Sequence, residues 1–314
     1  MDRSSLALAG FVAALLAGST AAAIAAGSPS PSGGSPRGAP PPPHPQRIVS
    51  TNLPADEILL ALVSPDRIVA LSHFADDPVV SNVRRRARAV PHRVGGRAEP
   101  ILALHPDVVF AFPFGQADAE ALLRQANVPV VHVPGADSLD EIRAHVRRIG
   151  RVVGAPERAE ALVAEMDRSL DAARERVRGT RAPRALLWNV TGTTAGAGTL
   201  FDELLAAAGG RNAAAEAGIR GLATLPLERA LAIDPEVVLV IDYRADSRAR
   251  QVGSRRSITD DPRWRSVTAV RRGRVHVLPP RHAYASSHHA AKAALDMGRL
   301  LHPQRFPETE GEEP

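Results

Sequence analysis

The sequence predicts an α/β protein of two related lobes with parallel central sheets, and three features carry that reading. A segment at 99–109 recurs at 228–238 with the same spacing. Short apolar runs bounded by turn residues alternate with helical patterns in both halves. A single helical stretch of 22 residues separates the two sets.

The repeat is Glu99-Pro-Ile-Leu102-Ala-Leu-His-Pro106-Asp107-Val108-Val109 against Glu228-Arg-Ala-Leu231-Ala-Ile-Asp-Pro235-Glu236-Val237-Val238. Each copy reads as a short helix stopped by proline, followed by a buried β-branched strand. The other expected strands, in order, are Arg47–Ser50, Arg67–Leu71, Val128–Val133, Ala185–Asn189 and Arg274–Leu278. Helical patterns fall between them at Ala55–Leu62 and Leu200–Ala208, with a final helix expected over Ser287–Leu301. Ser138-Leu139-Asp140-Glu141 is a capping box that opens a helix running to Val153. Strands alternating with helices argue for parallel sheets covered on both faces.

Between the halves, Pro156 suits a first helical position. Ala159, Leu162, Val163, Met166 and Leu170 then form an apolar face, and Gly179 ends the pattern. Such a helix extends about 33 Å at 1.5 Å per residue, enough to brace two lobes.

The ends of the chain read differently. Arg3, the apolar run Leu6–Leu16 and the small residues Ala21–Ala26 have the form of a cleaved signal peptide over 1–26. Residues 27–46 are a Pro/Gly/Ser-rich linker, too poor in large apolar groups to order themselves, and 304–314 form an acidic tail. That leaves an N-terminal lobe at 47–153, a connecting helix at 154–180 and a C-terminal lobe at 181–303. The expected location is the periplasm, after export.

Composition excludes several chemistries. The chain has no cysteine, so it has no disulfide, thiolate metal site, cysteine nucleophile or lipid-modified cysteine anchor. Lys+Arg 39 against Asp+Glu 34 gives +5, but the excess is arginine spread along the chain. Only Arg84-Arg85-Arg86-Ala87-Arg88 is dense, and it reads as a solvated face; no nucleic-acid partner is expected.

With these elements in order, the chain resembles the substrate-binding proteins of ABC importers for iron chelates, haem and corrinoids such as vitamin B12. The residues that carry the resemblance, besides the repeat, run from Arg47 to Pro303. They include Arg47-Ile48-Val49-Ser50 with Asp56-Glu57-Ile58-Leu59, then Asp77-Pro78, then Phe201-Asp202-Glu203-Leu204-Leu205 with Gly209-Gly210-Arg211-Asn212. Trp264 ahead of Val270-Arg271-Arg272-Gly273-Arg274-Val275 completes the set. The resemblance implies two Rossmann-like lobes joined by one rigid helix, with a ligand cleft between them. It implies capture of a corrinoid, ferric siderophore or haem as cargo, with no resident cofactor, and delivery to a permease dimer by a monomeric carrier. Glu99 and Glu228 match the family's glutamates that dock onto permease arginines; each also suits a helix N-terminus.

Ligands of parallel α/β sheets gather outside the carboxyl ends of strands. Aromatic residues make up only 4% of the chain, so their clustering after strands is informative. His73 and Phe74 follow one strand, Phe112 and Phe114 another, Tyr243 and Arg244 a third, and Arg281 and Tyr284 a fourth. With Asn52 and Asn189 they are the candidate ligand-binding residues: flat side chains for a macrocycle, arginines for acidic substituents. Trp188 and Phe110 read as core. His73, His282 and Tyr284 are the candidates for direct metal ligation.

No enzyme activity is expected: there is no G-x-S-x-G, no H-E-x-x-H, and the glycine-rich stretch Gly192–Gly198 lacks the lysine of a P-loop. The alternatives are a haem-binding version of the same scaffold, a periplasmic metal-ion binding protein using histidines, and an exported hydrolase.

Overall fold

The computed structural model describes residues 40–112, 117–189, 191–242 and 248–306, the side chains of 248–252 excepted. The signal-peptide segment, linker residues 27–39, Phe114, Tyr243, Arg244 and residues from Pro307 onward lie outside the described residues. The chain divides into two units. One comprises residues up to Val163 together with Ser286–His288, the other Ala164–Ala285 and everything from His289.

The first unit runs β1 (Ile48–Ser50), α1 (Leu53–Leu62), β2 (Ile68–Ser72), α2 (Arg84–Ala87), β3 (His92–Val94), α3 (Ala98–Leu102), β4 (Val108–Ala111), α4 (Ala117–Gln125), β5 (Val130–His132) and α5 (Leu139–Val152). Its five strands are all parallel in the order β3-β2-β1-β4-β5. Val49, Ala70, Val94 and Val109 pack together with Ile101 of α3. The strand pleat turns Ile48 and Phe110 the other way, and both are completely buried. Ser138 caps α5 as expected, accepting from Glu141 N at 3.2 Å. The reciprocal bond is shifted by one residue, Asp137 N donating to Glu141 Oε2 at 2.8 Å.

α6 (Pro156–Val177) passes from one unit to the next. Ala159, Val163, Met166, Leu170, Ala173 and Val177 are its buried stripe, at alternating spacings of four and three. Gly150 lets α5 approach it: a Cβ there would lie 2.4 Å from that of Ala159. Gly179 follows with φ 72°, the left-handed conformation that stops a helix.

The second unit holds β6 (Arg184–Asn189), β7 (Thr193–Ala195), α7 (Leu200–Ala207), β8 (Arg211–Asn212), α8 (Ala213–Glu216), β9 (Leu222–Thr224), α9 (Leu227–Ile233), β10 (Val237–Ile241), α10 (Arg248–Thr259), α11 (Thr268–Arg271), β11 (Val275–Val277), α12 (Pro280–Ala283) and α13 (Ala290–Leu301). The sheet β11-β10-β6-β8 is again parallel, with a separate antiparallel pair β7–β9. Leu186, Val238, Val240, Ile258 and Trp264 anchor its core. Trp188 meets Trp264 edge-on, ring centroids 5.1 Å apart at 80°.

The sequence repeat extends to backbone conformation and hydrogen bonding. His105 and Asp234, at matching positions, both adopt φ 45°. The peptide N–H groups of Asp107 and Glu236 donate to Arg47 O and Arg184 O, each at 2.9 Å. Arg47 donates to Leu104 O and His105 O at 2.7–3.1 Å. Arg184 donates to the matching Ile233 O and Asp234 O at 3.0 and 3.2 Å. An arginine at the start of the first strand of each unit, Arg47 just before β1 and Arg184 opening β6, thus satisfies the open carbonyls at the end of the repeat helix.

Two expectations are corrected. The last helix starts at Ala290, not Ser287, because Ser286–His288 group with the first unit, where Ser287 Oγ donates to Glu57 Oε2. The tail boundary at 304 moves outward: Pro303–Arg305 form a 3-10 turn and Phe306 is 5% exposed, with the Arg176 guanidinium 5.3 Å from its ring centroid. The glycine-rich stretch at 192–198 contributes β7.

Candidate functional site

Both parallel sheets reverse their strand order once. In the first unit this happens between β1 and β4, in the second between β6 and β10. A crevice opens at the carboxyl end of such a switch point, where flanking connections leave in opposite directions. The residues there are Thr51, Asn52 and Phe112 in the first unit, and Asn189 and Asp242 in the second.

Asn52 is engaged in structure. Its Oδ1 caps α1 by accepting from Ala55 N at 2.8 Å, its Nδ2 donates to Val133 O at 3.1 Å, and the residue is 2% exposed. His73 is exposed in the 3-10 turn after β2. Phe74 packs half-buried against Leu53, Val79 and Val80. Phe112 is half-buried where β4 ends.

Directly behind this end lie two buried carboxylates of α1. Asp56 accepts from Ser72 N at 3.2 Å with both oxygens and from Ser72 Oγ. Burial pushes its carboxyl up to about 7; hydrogen bonds from Ser50 and Ser72 oppose the rise, and the Glu57 charge adds to it. Glu57 accepts from Asn82 N at 3.1 Å, from Asn82 Nδ2 at 2.9 Å and from Ser287 Oγ. Neither acid has solvent access beyond 2%, so they fix the geometry of the strand ends rather than meet a ligand.

In the second unit the candidates come together. Asn189, buried at the tip of β6, donates from Nδ2 to Tyr284 Oη at 2.8 Å, while its Oδ1 accepts from Thr191 N and Oγ1 at 3.0 Å. The Tyr284 phenol is therefore held at the carboxyl end of the sheet. His282, two residues earlier on α12, bonds through Nδ1 to Asp296 Oδ2 of α13, whose other oxygen accepts from Arg299 at 3.2 Å. A carboxylate only accepts, so Nδ1 carries the proton of this bond. Arg281 is half-buried on the same turn. Asp296 had no signal in the sequence: it lies 14 residues from His282, a spacing fixed only by how α13 folds back. Among the described residues, no three His, Asp or Glu side chains form a group able to hold a metal ion.

The two repeat glutamates open α3 and α9 and are both exposed. Among the described residues, the side chain of Glu99 has a long contact to Arg97, at 3.6 Å. It stands on a hollow of about 510 Å³ shared with Gly96, Ala117 and Leu122. Glu228 has no hydrogen-bond or ion-pair partner among the described residues.

Residues 48–282 match the family described as periplasmic binding protein. The chain belongs to that family. This periplasmic binding protein is 24% identical over 274 residues to the ABC transporter substrate-binding lipoprotein YvrC of Bacillus subtilis, covering 84% of the chain and 82% of the relative. It is 27% identical over 265 residues to a cobalamin-binding protein of Halobacterium salinarum, covering 82% and 70%. Among solved structures, the periplasmic heme-binding protein RhuT of Roseiflexus sp. RS-1 in apo form superposes with a TM-score of 0.69 at 29% identity. That match covers 83% of this periplasmic binding protein and 99% of RhuT.

Proposed function

We propose that the protein binds a bulky metal chelate, a corrinoid or a ferric siderophore, outside the cytoplasm and delivers it to an ABC permease. The observation that carries this reading is the alignment of most of the chain with a relative named for cobalamin binding. The chemistry of the strand ends agrees with it. Phe74, Phe112 and Tyr284 offer flat apolar faces, and Arg281 and Asn189 supply polar contacts for peripheral groups of the chelate. Glu99 and Glu228, exposed at matching places on two similar units, are proposed to make charge-assisted bonds to arginines of a two-fold symmetric permease. No reaction is part of this role. Segment 1–26 is proposed to direct export and to be removed. The sequence contains no cysteine to carry a lipid, unlike what the name of the B. subtilis relative describes.

A second reading, haem, is favoured by the identity to RhuT. The Tyr284 phenol held by Asn189 and the His282 ring held by Asp296 are side chains of the kind that ligate haem iron. A melting-temperature panel with cobalamin, cobinamide, haemin and ferric siderophores separates the two. A ligand at 100 times its Kd adds about 2.7 kcal/mol to stability, or roughly 5 °C at about 2 °C per kcal/mol for a protein of this size. A shift with cobalamin or a siderophore supports the first reading, and a shift with haemin alone supports the second. No shift with any of them would overturn both.

A further inference from the structure

A hollow of about 550 Å³ opens in the second unit where α6 has ended, β11 begins and α13 stops. It is lined by Arg181, Arg274, His276, His302, Gln304 and Arg305 among others, and no acidic side chain of the described residues lines it. It lies at the amino ends of the strands, opposite the end discussed above, so it is independent of the chelate reading.

These cations are not equally committed. Arg181 is held by Glu236 in a two-point contact at 2.6 and 2.9 Å. Arg274 spends Nη2 on Leu300 O and Leu301 O at the end of α13, and burial holds its guanidinium below the ordinary range. Burial, then Arg274 and Arg255, hold the His276 ring below its usual value. The side chains of Gln304 and Arg305 and the ring of His276 have no hydrogen-bond partner among the described residues. A hollow of this sign stabilises an anion, and several donors in it remain unused.

The chain itself carries a matching group. Phe306 is clamped beside the hollow, buried under Arg176 and packed on Gly298. The sequence then continues Pro307-Glu308-Thr309-Glu310-Gly311-Glu312-Glu313-Pro314, with four carboxylates and no basic residue. Glu308 is about 7 Å of extended chain beyond Phe306 and Glu313 about 25 Å. A tether this short gives the carboxylates an effective concentration of order millimolar. We propose that the hollow is a carboxylate-binding site and that glutamates of 307–314 occupy it.

The test compares the full chain with a variant whose tail is neutralised, E308Q/E310Q/E312Q/E313Q, using succinate as the probe in calorimetric titration. The four substitutions leave every residue of 40–306 unchanged, and a melting scan of both proteins checks that folding is preserved. The neutralised variant is expected to bind succinate about fivefold or more tightly than the parent, because the internal competitor is gone. Adding Arg305→Gln, an exposed change, should abolish that gain. The ring signals of His276 and His302 should differ between parent and neutralised variant. Equal succinate affinity in both proteins, or no binding by either, overturns the proposal, as do unchanged ring signals. Binding of the parent to phosphatidylglycerol vesicles that is lost in Arg305→Gln would also overturn it, by assigning the hollow to a lipid surface.

Discussion

The two units place an Asp-Glu pair on the helix that follows their first strand, and treat it in opposite ways. On α1, Asp56 and Glu57 are buried to 0% and 2% exposure. On α7, Asp202 is half-buried, accepting from Asn212 Nδ2 at 3.1 Å, and Glu203 is exposed. Local sequence is nearly the same, so the difference is tertiary. Around α1, Ser50, Ser72, Asn82 and Ser287 converge with donors, and a buried carboxylate is tolerated only with such donors. Around α7 the chain has inserted the β7–β9 pair instead.

Removing each glutamate tests that contrast most strongly. Glu57→Ala leaves Asn82 N, Asn82 Nδ2 and Ser287 Oγ without their acceptor, at about 1–3 kcal/mol for each buried group left unpaired, so a loss of roughly 3 kcal/mol or more is expected. Glu203→Ala should stay within about 0.5 kcal/mol, as surface changes do. Urea denaturation of the two variants measures both, and equal losses would break the contrast.

Ionisation of Asp56 gives the next effect. Its folded pKa, about 7, stands well above the ordinary aspartate value of about 3.9. The unfolded chain therefore releases this proton first as pH rises. The group's stabilising contribution is complete below about pH 4 and is lost as pH climbs towards 7, with a slope approaching 1.4 kcal/mol per pH unit. Asp56→Asn cannot ionise, so its stability between pH 4 and 7 should lack this descending component. If parent and variant show parallel profiles in denaturation at pH 4.5, 5.5 and 6.5, Asp56 does not titrate as argued.

How much of this was readable beforehand follows the range of the interactions. The repeat, the capping box at Ser138 and the strand pattern of Val237–Ile241 are local: periodicity, a proline stop and a cap lie within a few residues, and the structure has them. The stop at Gly179 is equally local. The pairing of β7 with β9 joins Thr193 to Thr224, and nothing near either residue announces it. The return of Ser286–His288 to the first unit is similar, since its anchor Glu57 lies 230 residues away. At the strand ends, aromatic position was legible, but the partners that orient the side chains were not. Asn189 reaches Tyr284 across 95 residues, and Asn52, which caps α1 locally through Ala55 N, has its amide taken up by Val133 O, which only the fold brings near.

The duplicated arginines sharpen the comparison at a smaller scale. Arg47 and Arg184 bind matching carbonyls, but Arg184 is half-buried and also pairs with Glu216 at 2.8 Å, whereas Arg47 is exposed. Charge-assisted bonds of this kind contribute about 1.5–3 kcal/mol when shielded, and less in water. Arg184→Ala should therefore cost about 2 kcal/mol and Arg47→Ala about 1 kcal/mol by chemical denaturation. A reversed order would mean that exposure does not decide the strength of the tie.

The smallest stability effect belongs to the pair with the largest proposed role in delivery. Glu99 and Glu228 occupy matching positions and are exposed; among the described residues Glu99 has a weak contact to Arg97, and the Glu228 charge acts on the Arg263 guanidinium. Each contributes to stability at most the 0.3–1 kcal/mol or so of an acid near a helix N-terminus. If they dock onto permease arginines, Glu99→Gln with Glu228→Gln should leave melting within about 4 °C of the parent, at about 2 °C per kcal/mol for a chain of this length. Chelate affinity should be unchanged, while uptake through the reconstituted transporter falls by about tenfold, the loss of roughly 1.4 kcal/mol of docking free energy. Each single variant should fall partway, because two similar units engage two similar subunits. Full uptake by the double variant would leave these acids as helix-end charges alone, and the symmetry of the repeat would then be a legacy of duplication that the permease does not read.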